Sequence, residues 1–146
     1  MKLGFNIILL LWINFSIAQT IAVDSLYQVG YSKFKMGNFD EALIDLNKVI
    51  TIDSLNSDAY LYAGKCYVQK LDTILSIEYF EKALKIDVNK YYILPTLAKQ
   101  YESISQIQKA IECHKKYIRI KPEFYGGYSN LSFIYYEQKN YLESNK

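Results

Sequence analysis

The stretch YLYAGKCYVQKLDTILSIEYFEKA, residues 60–83, carries the pattern that decides the fold. Its first half holds four residues at helix positions i, i+3, i+4 and i+7: Tyr60, Ala63, Gly64 and Tyr67. Its second half holds a further stripe at i, i+4 and i+7: Ser76, Phe80 and Ala83. Residues at these spacings share one face of a helix, so each half predicts an amphipathic helix. The stretch therefore predicts a pair of helices joined by a short turn.

The same pattern recurs along the chain with a period of 34 residues. One column of small residues follows this step: Gly30, Gly64, Ala98 and Ser132. A second column keeps the same step: Ala42, Ser76, Ala110 and Ser144. A small side chain where two helices cross lets the helix axes approach closely. A fixed period of this length predicts a solenoid of stacked helix pairs.

Turn-forming residues separate the predicted helices. They are Gly37-Asn38 and Lys139-Asn140 within units, and Asp53-Ser54, Asp87-Val88-Asn89 and Lys121-Pro122 between units. In the third unit, Pro95 fits the first turn of a helix that begins at about Leu94, whereas it would kink a helix that begins at Tyr91.

The combined pattern resembles the tetratricopeptide repeat (TPR) motif, in which W-x-x-L-G-x-x-Y is followed by A-x-x-x-F, A and P. Besides the residues of 60–83, the third unit supplies Leu94, Leu97, Ala98, Tyr101, Ala110 and Pro122. The fourth unit begins with Tyr128, Leu131, Ser132 and Tyr135. The first unit departs from the motif, because Lys33 stands where the motif has Tyr. We expect Phe34 to take over the role of that Tyr.

The resemblance implies an all-α fold, a superhelical solenoid of antiparallel helix pairs. It covers residues 24–146, with units at about 24–56, 57–90 and 91–124 and an incomplete unit at 125–146. In TPR proteins the first helix of each pair lines a concave binding face. The positions that match this face are Tyr27, Tyr31, Phe34, Leu61, Lys65, Val68, Pro95, Lys99, Glu102, Ser129, Phe133 and Tyr136.

The resemblance further implies a protein or peptide partner, whose identity the sequence does not give. Some TPR domains hold the C-terminal carboxylate of a partner with Lys and Asn. Here Tyr27 and Tyr31 occupy the corresponding places of the first unit, and we therefore do not expect this chain to bind a C-terminal carboxylate in that way. Two alternatives remain open. The chain could be the leading module of a larger envelope sensor or enzyme, or a structural subunit that self-associates through its terminal repeat edge.

The first residues have the pattern of an export signal. Lys2 precedes an apolar segment from Phe5 to Ile17, and small residues stand at Ser16 and Ala18. We expect residues 1–18 to be cleaved as a signal peptide, which would leave a short leader at 19–23 and a periplasmic or extracellular protein. The alternative is an uncleaved membrane anchor formed by residues 3–23, the only route to membrane contact that we expect.

Composition and motifs argue against several functions. The formal net charge of +2 gives no strong field for phosphates, so nucleic acid is not an expected partner. His114 is the single histidine and falls in a core position of the repeat. No phosphate loop or metal-ligand motif occurs, so we expect no cofactor, no metal and no catalytic site. Cys66 and Cys113 lie outside any paired-cysteine motif, and we favour free, buried thiols over a disulfide.

Overall fold

The computed structural model describes the backbone of residues 2–144 and the side chains of residues 12–14 and 17–139. Seven α-helices follow one another in that part of the chain, and it contains no strand. They are α1 (Lys2–Lys35), α2 (Phe39–Ile52), α3 (Ser57–Gln69), α4 (Thr73–Ile86), α5 (Leu94–Ser103), α6 (Ile107–Ile120) and α7 (Tyr125–Ser144). A 3₁₀ helix, Val88–Ile93, precedes α5. The all-α fold that the sequence predicts is confirmed.

Each helix packs on the next one along the chain, so α1–α2, α3–α4 and α5–α6 form three antiparallel pairs that stack in order. The turns within the pairs share one geometry. The backbone N–H groups of Asn38, Asp72 and Gln106 donate hydrogen bonds to the carbonyl oxygens of Lys33, Tyr67 and Tyr101, respectively. One residue before each donor, Gly37, Leu71 and Ser105 have positive φ values of 83°, 60° and 60°. These turns recur every 34 residues and close each pair in the same way.

Two clusters of buried side chains form the core. The first joins α1, α2 and α3 around Leu46 and Val49, and the second joins α3 to α7 around Phe80 and Ile111. Gly30, Gly64 and Ala98 of the first small column are buried, as are Ala42, Ser76 and Ala110 of the second. Their small size allows the close approach of the helices that the repeat requires.

The first unit replaces an aromatic contact with an ion pair. In the second unit Tyr67 packs on Tyr79, with ring centroids 5.0 Å apart. At the equivalent positions of the first unit, Lys33 Nζ lies 2.6 Å from the Oδ2 atom of the buried Asp45. The expectation that Phe34 takes over the contact of the missing Tyr is wrong, because Asp45 pairs with Lys33 instead. The ring of Phe34 lies 5.9 Å from that of Phe39 in its own unit and 5.2 Å from that of Tyr62 in the next.

The first helix of the third unit is divided in two. Residues Val88–Ile93 form the 3₁₀ helix, in which Lys90 departs from helical geometry with φ −78° and ψ 20°. The α-helical part then begins at Leu94, with Pro95 in the first turn. A proline there removes no helical hydrogen bond, because the first N–H groups of a helix have no intrahelical partner.

The fourth unit differs from its prediction. Lys139 and Asn140 form no turn, because α7 continues as one helix to Ser144. No further helix packs back on α7 within the described residues, so nothing there stabilises a turn like those at Leu71 and Ser105. Ser132 and Tyr135, which the register predicts to pack, are exposed for the same reason.

The predicted leader continues into the first unit. Helix α1 runs without a break through Ala18 and Gln19, the predicted cleavage point. The predicted apolar segment lies largely outside the side chains that the structure describes. Within the described part of the chain, no helix combines the length and apolarity that crossing a bilayer requires.

Candidate functional site

The first helices of the units, α1, α3, α5 and α7, contribute side chains to one surface. We call it the first-helix surface and define it by Tyr27, Tyr31, Tyr62, Lys65, Lys99 and Phe133. Its tyrosines cluster around Tyr62 of α3. The ring of Tyr31 meets that of Tyr62 edge-on at 4.7 Å, and the ring of Tyr27 lies 6.3 Å away. These three rings are half-buried, so each leaves part of its surface open to a partner.

The hydroxyl groups of Tyr27 and Tyr62 stay protonated at neutral pH. Burial, followed by a hydrogen bond with Tyr31, raises the pKa of Tyr62 to about 12. Burial and the nearby carboxylate of Asp58 also raise the pKa of Tyr27. These two tyrosines therefore present apolar rings together with neutral O–H donors and acceptors, a combination suited to a peptide.

Lysines border the tyrosine cluster. The ammonium of Lys65 lies 4.7 Å from the ring centroid of Tyr62, within the range of a cation–π contact. Burial, followed by repulsion from Lys90, lowers the pKa of Lys65. Lys90 itself is buried, and its ammonium lies 2.7 Å from Asp58 Oδ1 and 3.7 Å from Asp87 Oδ2.

A cleft of about 360 Å³ lies further along the same surface, between α5 and α7. It is lined by Pro95, Lys99, Glu102, His114, Ser129, Asn130 and Phe133. His114 is buried, with Nε2 3.3 Å from Glu102 Oε1. Its Nδ1 atom is buried and has no hydrogen-bond partner among the residues that the structure describes. The cleft thus combines an apolar wall with donors and acceptors that could hold one or two residues of a peptide.

The predicted binding residues differ in how far they are exposed. Lys99, Phe133 and Tyr136 are exposed, and Glu102 is half-buried at the cleft. Phe34 and Val68 are half-buried against the core clusters. Leu61 was expected to contact a partner, but that expectation is wrong. It is only 1% exposed, because it packs into the core between the second and third units.

Sequence reasoning missed the central residue of the cluster, Tyr62. The equivalent positions in the neighbouring units hold Gln28 and Thr96, so the 34-residue comparison shows no recurring aromatic there. Tyr92 was missed too, although it lies close enough to contribute to the raised pKa values of Tyr27 and Tyr62. A count of aromatic residues at all positions of the first helices, rather than at one column, would have found both.

The described residues hold no group of His, Cys, Asp and Glu that could bind a metal ion. Cys66 and Cys113 are free and buried in different core clusters. Burial raises the pKa of each thiol to about 11, so both remain largely protonated near neutral pH. A thiol in that state is a poor nucleophile.

Two segments of the chain, residues 23–54 and 57–89, match the family model described as tetratricopeptide repeat. These segments are tetratricopeptide repeats. Together they make up less than half of the chain, and the match ends inside the 3₁₀ helix. Curated protein sequences give no significant match.

Solved structures share the fold. The crystal structure of MamA is 24% identical, with a TM-score of 0.75 over 80% of this chain and 68% of MamA. The first TPR of Spaghetti (RPAP3), bound to the HSP90 peptide SRMEEVD, is 14% identical, with a TM-score of 0.71 over 80% of this chain and 93% of that one. The Yersinia enterocolitica type III secretion chaperone SycD, in complex with a peptide of the translocator YopD, is 17% identical, with a TM-score of 0.71 over 80% and 95%. In a second crystal structure of MamA, the match with this chain covers 64% of the MamA chain. The fold is therefore a TPR solenoid.

Proposed function

We propose that the chain is a non-catalytic scaffold that binds an extended segment or a helix of another protein along the first-helix surface. The observation that carries this proposal is the half-buried cluster of Tyr27, Tyr31 and Tyr62, with the cleft between α5 and α7 beside it. The stack of helix pairs would present this surface as its concave face.

The chemistry of the surface suits a peptide. Tyrosine and phenylalanine rings supply contact area with few rotatable bonds, so little side-chain entropy is lost on binding. The hydroxyl groups, together with Lys99, Glu102 and Asn130 of the cleft, supply donors and acceptors for backbone amides. A surface of this kind binds through contact area and hydrogen bonds and needs no reactive group.

Two of the proteins that share the fold were solved with a bound peptide, the HSP90 peptide in one and a YopD peptide in the other. Because their identity to this chain is low, we do not infer that either peptide is a partner of this chain. They support the proposal by showing that this arrangement of helices accommodates peptides.

We also propose that the protein acts outside the cytoplasm, because residues 1–18 have the composition of a signal peptide. N-terminal sequencing of protein recovered from the envelope or medium tests this. A first residue of Gln19 supports export with cleavage, and an intact Met1 rejects cleavage.

Site-specific photo-crosslinking tests the binding surface. A benzophenone amino acid replaces Phe133 on the first-helix surface or, as a control, Ile74 on α4. Both side chains are 63% exposed, so the two probes are equally accessible. We expect crosslinks to a discrete partner from position 133 and none from position 74. Equal crosslinking from both positions would reject the first-helix surface as the binding face.

Self-association is a second candidate function, favoured by the aromatic side chains that α7 leaves exposed. Tyr128, Phe133, Tyr135 and Tyr136 are each between 45% and 63% exposed. Light scattering over a concentration series distinguishes the two candidates. A mass that rises with concentration, and falls again in a Tyr128→Ser/Tyr135→Ser double variant, supports self-association, and a constant monomer mass rejects it.

A further inference from the structure

Lys65 differs from the other lysines that lie within the stack. Lys33 bonds the carboxylate of Asp45 at 2.6 Å, and Lys90 bonds that of Asp58 at 2.7 Å. Lys65 is half-buried, and no carboxylate among the described residues forms an ion pair with it. Asp58, the carboxylate whose charge acts on Lys65, is already paired with Lys90. A desolvated ammonium without a counter-charge is unfavourable, so its position needs an explanation.

The surroundings of Lys65 favour an anion over a cation. Its ammonium is held over the ring of Tyr62, 4.7 Å from the centroid, and feels the positive charges of Lys90 and Lys35. Further along the surface, Lys99 is exposed and also forms no ion pair within the described residues. A basic side chain of a partner would meet repulsion here, whereas a carboxylate would supply the missing counter-charge.

Lys65 also lies in the middle of the first-helix surface. Helix α3 stands between α1, which supplies Tyr27 and Tyr31, and α5, which supplies one wall of the cleft. A segment that contacts both the tyrosine cluster and the cleft must cross α3 with an interior residue. For such a segment, the group that reaches Lys65 is a side chain and not a chain end.

We propose that the occupant of the first-helix surface is an extended acidic segment of a partner protein, in which an internal Asp or Glu pairs its side-chain carboxylate with Lys65. The inference rests on the proposed function and adds the chemical class of the partner. The nearby tyrosine hydroxyls are within the same cluster and donate further hydrogen bonds to the carboxylate or to the backbone beside it.

Selection from random twelve-residue peptides displayed on phage tests the inference. The full chain is the target, alongside Lys65→Met and a control, Lys85→Met, which removes an exposed lysine of α4 that forms no ion pair within the described residues. Display with the peptide C-terminus fused to the coat protein removes the free terminal carboxylate, and a second library displays peptides with a free C-terminus. Circular dichroism checks that each variant is folded.

We expect the fused library to yield peptides enriched in internal Asp and Glu on the wild-type chain and on Lys85→Met, and to lose that enrichment on Lys65→Met. A selected peptide should then bind Lys65→Met at least tenfold more weakly by fluorescence anisotropy, with a steep dependence on salt. Peptides without acidic enrichment, enrichment that survives in Lys65→Met, or selection only from the free C-terminus library would each overturn the inference and leave the proposed function standing. Failure of both libraries to yield any binder would overturn both.

Discussion

The ring of Phe80 lies directly against the Cα of Gly64. A Cβ added to this glycine would stand 2.8 Å from the Cδ1 and Cε1 atoms of the ring, closer than two carbon atoms can pack. Phe80 is fully buried, so its ring cannot swing into solvent to make room. We expect Gly64→Ala to lower the free energy of unfolding by about 1 to 3 kcal/mol, measured by urea denaturation.

Gly30, at the equivalent position of the first unit, provides the matched control. Its added Cβ would meet Leu46 Cγ at 3.1 Å, a contact that a small shift relieves. Alanine also favours the helix over glycine by about 1 kcal/mol, which offsets part of that cost. Gly30→Ala should therefore change stability less than Gly64→Ala, and equal losses would contradict the proposed role of the Phe80 ring.

The left-handed residues of the turns predict a gain in stability. Leu71 adopts a φ of 60° and is 87% exposed, so it bears the strain of that conformation with little compensating burial. Leu71→Gly should raise the free energy of unfolding by about 0.5 to 1 kcal/mol, because glycine adopts positive φ without strain.

Gly37 has a φ of 83°, so Gly37→Ala should lower the free energy of unfolding by a similar amount. Thermal denaturation of both variants checks the pair. Destabilisation by Leu71→Gly would show that the leucine side chain contributes more than the strain removes.

The ion pair of the first unit predicts a pH dependence. The hydrogen bond from Lys33 lowers the pKa of Asp45, even though burial opposes this. The stabilisation is therefore complete above the ordinary Asp value near 3.9 and is lost as the pH falls through the lower folded-state pKa. Asp45→Asn should cost about 1 to 3 kcal/mol at pH 7.

Urea unfolding of the wild type and Asp45→Asn between pH 7 and pH 3 measures this difference. It should be constant down to about pH 5 and shrink below about pH 4. Asp40→Asn is the control, because Asp40 pairs with Lys70 at the exposed surface and should change stability little. If the difference in unfolding free energy between the wild type and Asp45→Asn is unchanged at pH 3, the stabilising role of the ion pair between Lys33 and Asp45 is contradicted.

A fourth prediction concerns the histidine in the core of the third unit. His114 is 1% exposed, and its Nδ1 atom finds no partner in the described part of the chain, whereas the equivalent Leu46 and Phe80 are apolar and fully buried. His114→Leu removes an unsatisfied polar atom and should raise the free energy of unfolding by about 1 to 2 kcal/mol. Denaturation by urea provides the measurement, and a loss of stability would show that the bond to Glu102 outweighs the unpaired nitrogen.

The fold could be predicted because its determinants are local and repeated. Gly64 and Ala98 recur at the period that the stacked pairs impose, and the apolar stripes around them leave one way to pack. The pairing of Lys33 with Asp45 could not be predicted in this way. It replaces the Tyr67–Tyr79 contact by different chemistry at the same two positions, and only three-dimensional proximity links them.

The binding surface was predicted less well, because register alone does not fix side-chain direction. Leu61 shares its repeat position with Tyr27, yet it turns into the core while the neighbouring Tyr62 faces α1. The prediction for the end of the last unit was wrong for another reason. A turn at Lys139 needs a following helix to pack against, and the two turn-forming residues alone do not interrupt α7.

The 3₁₀ helix at Val88–Ile93 has a consequence for cooperativity. In a solenoid each unit is stabilised by its immediate neighbours, so the chain behaves as a row of coupled units rather than a single block. The 3₁₀ segment lies at the junction between the second and third units, and its hydrogen bonds are weaker than those of an α-helix. Partial unfolding should therefore begin at this junction and release α5–α7 as one cooperative unit, while α1–α4 stay folded.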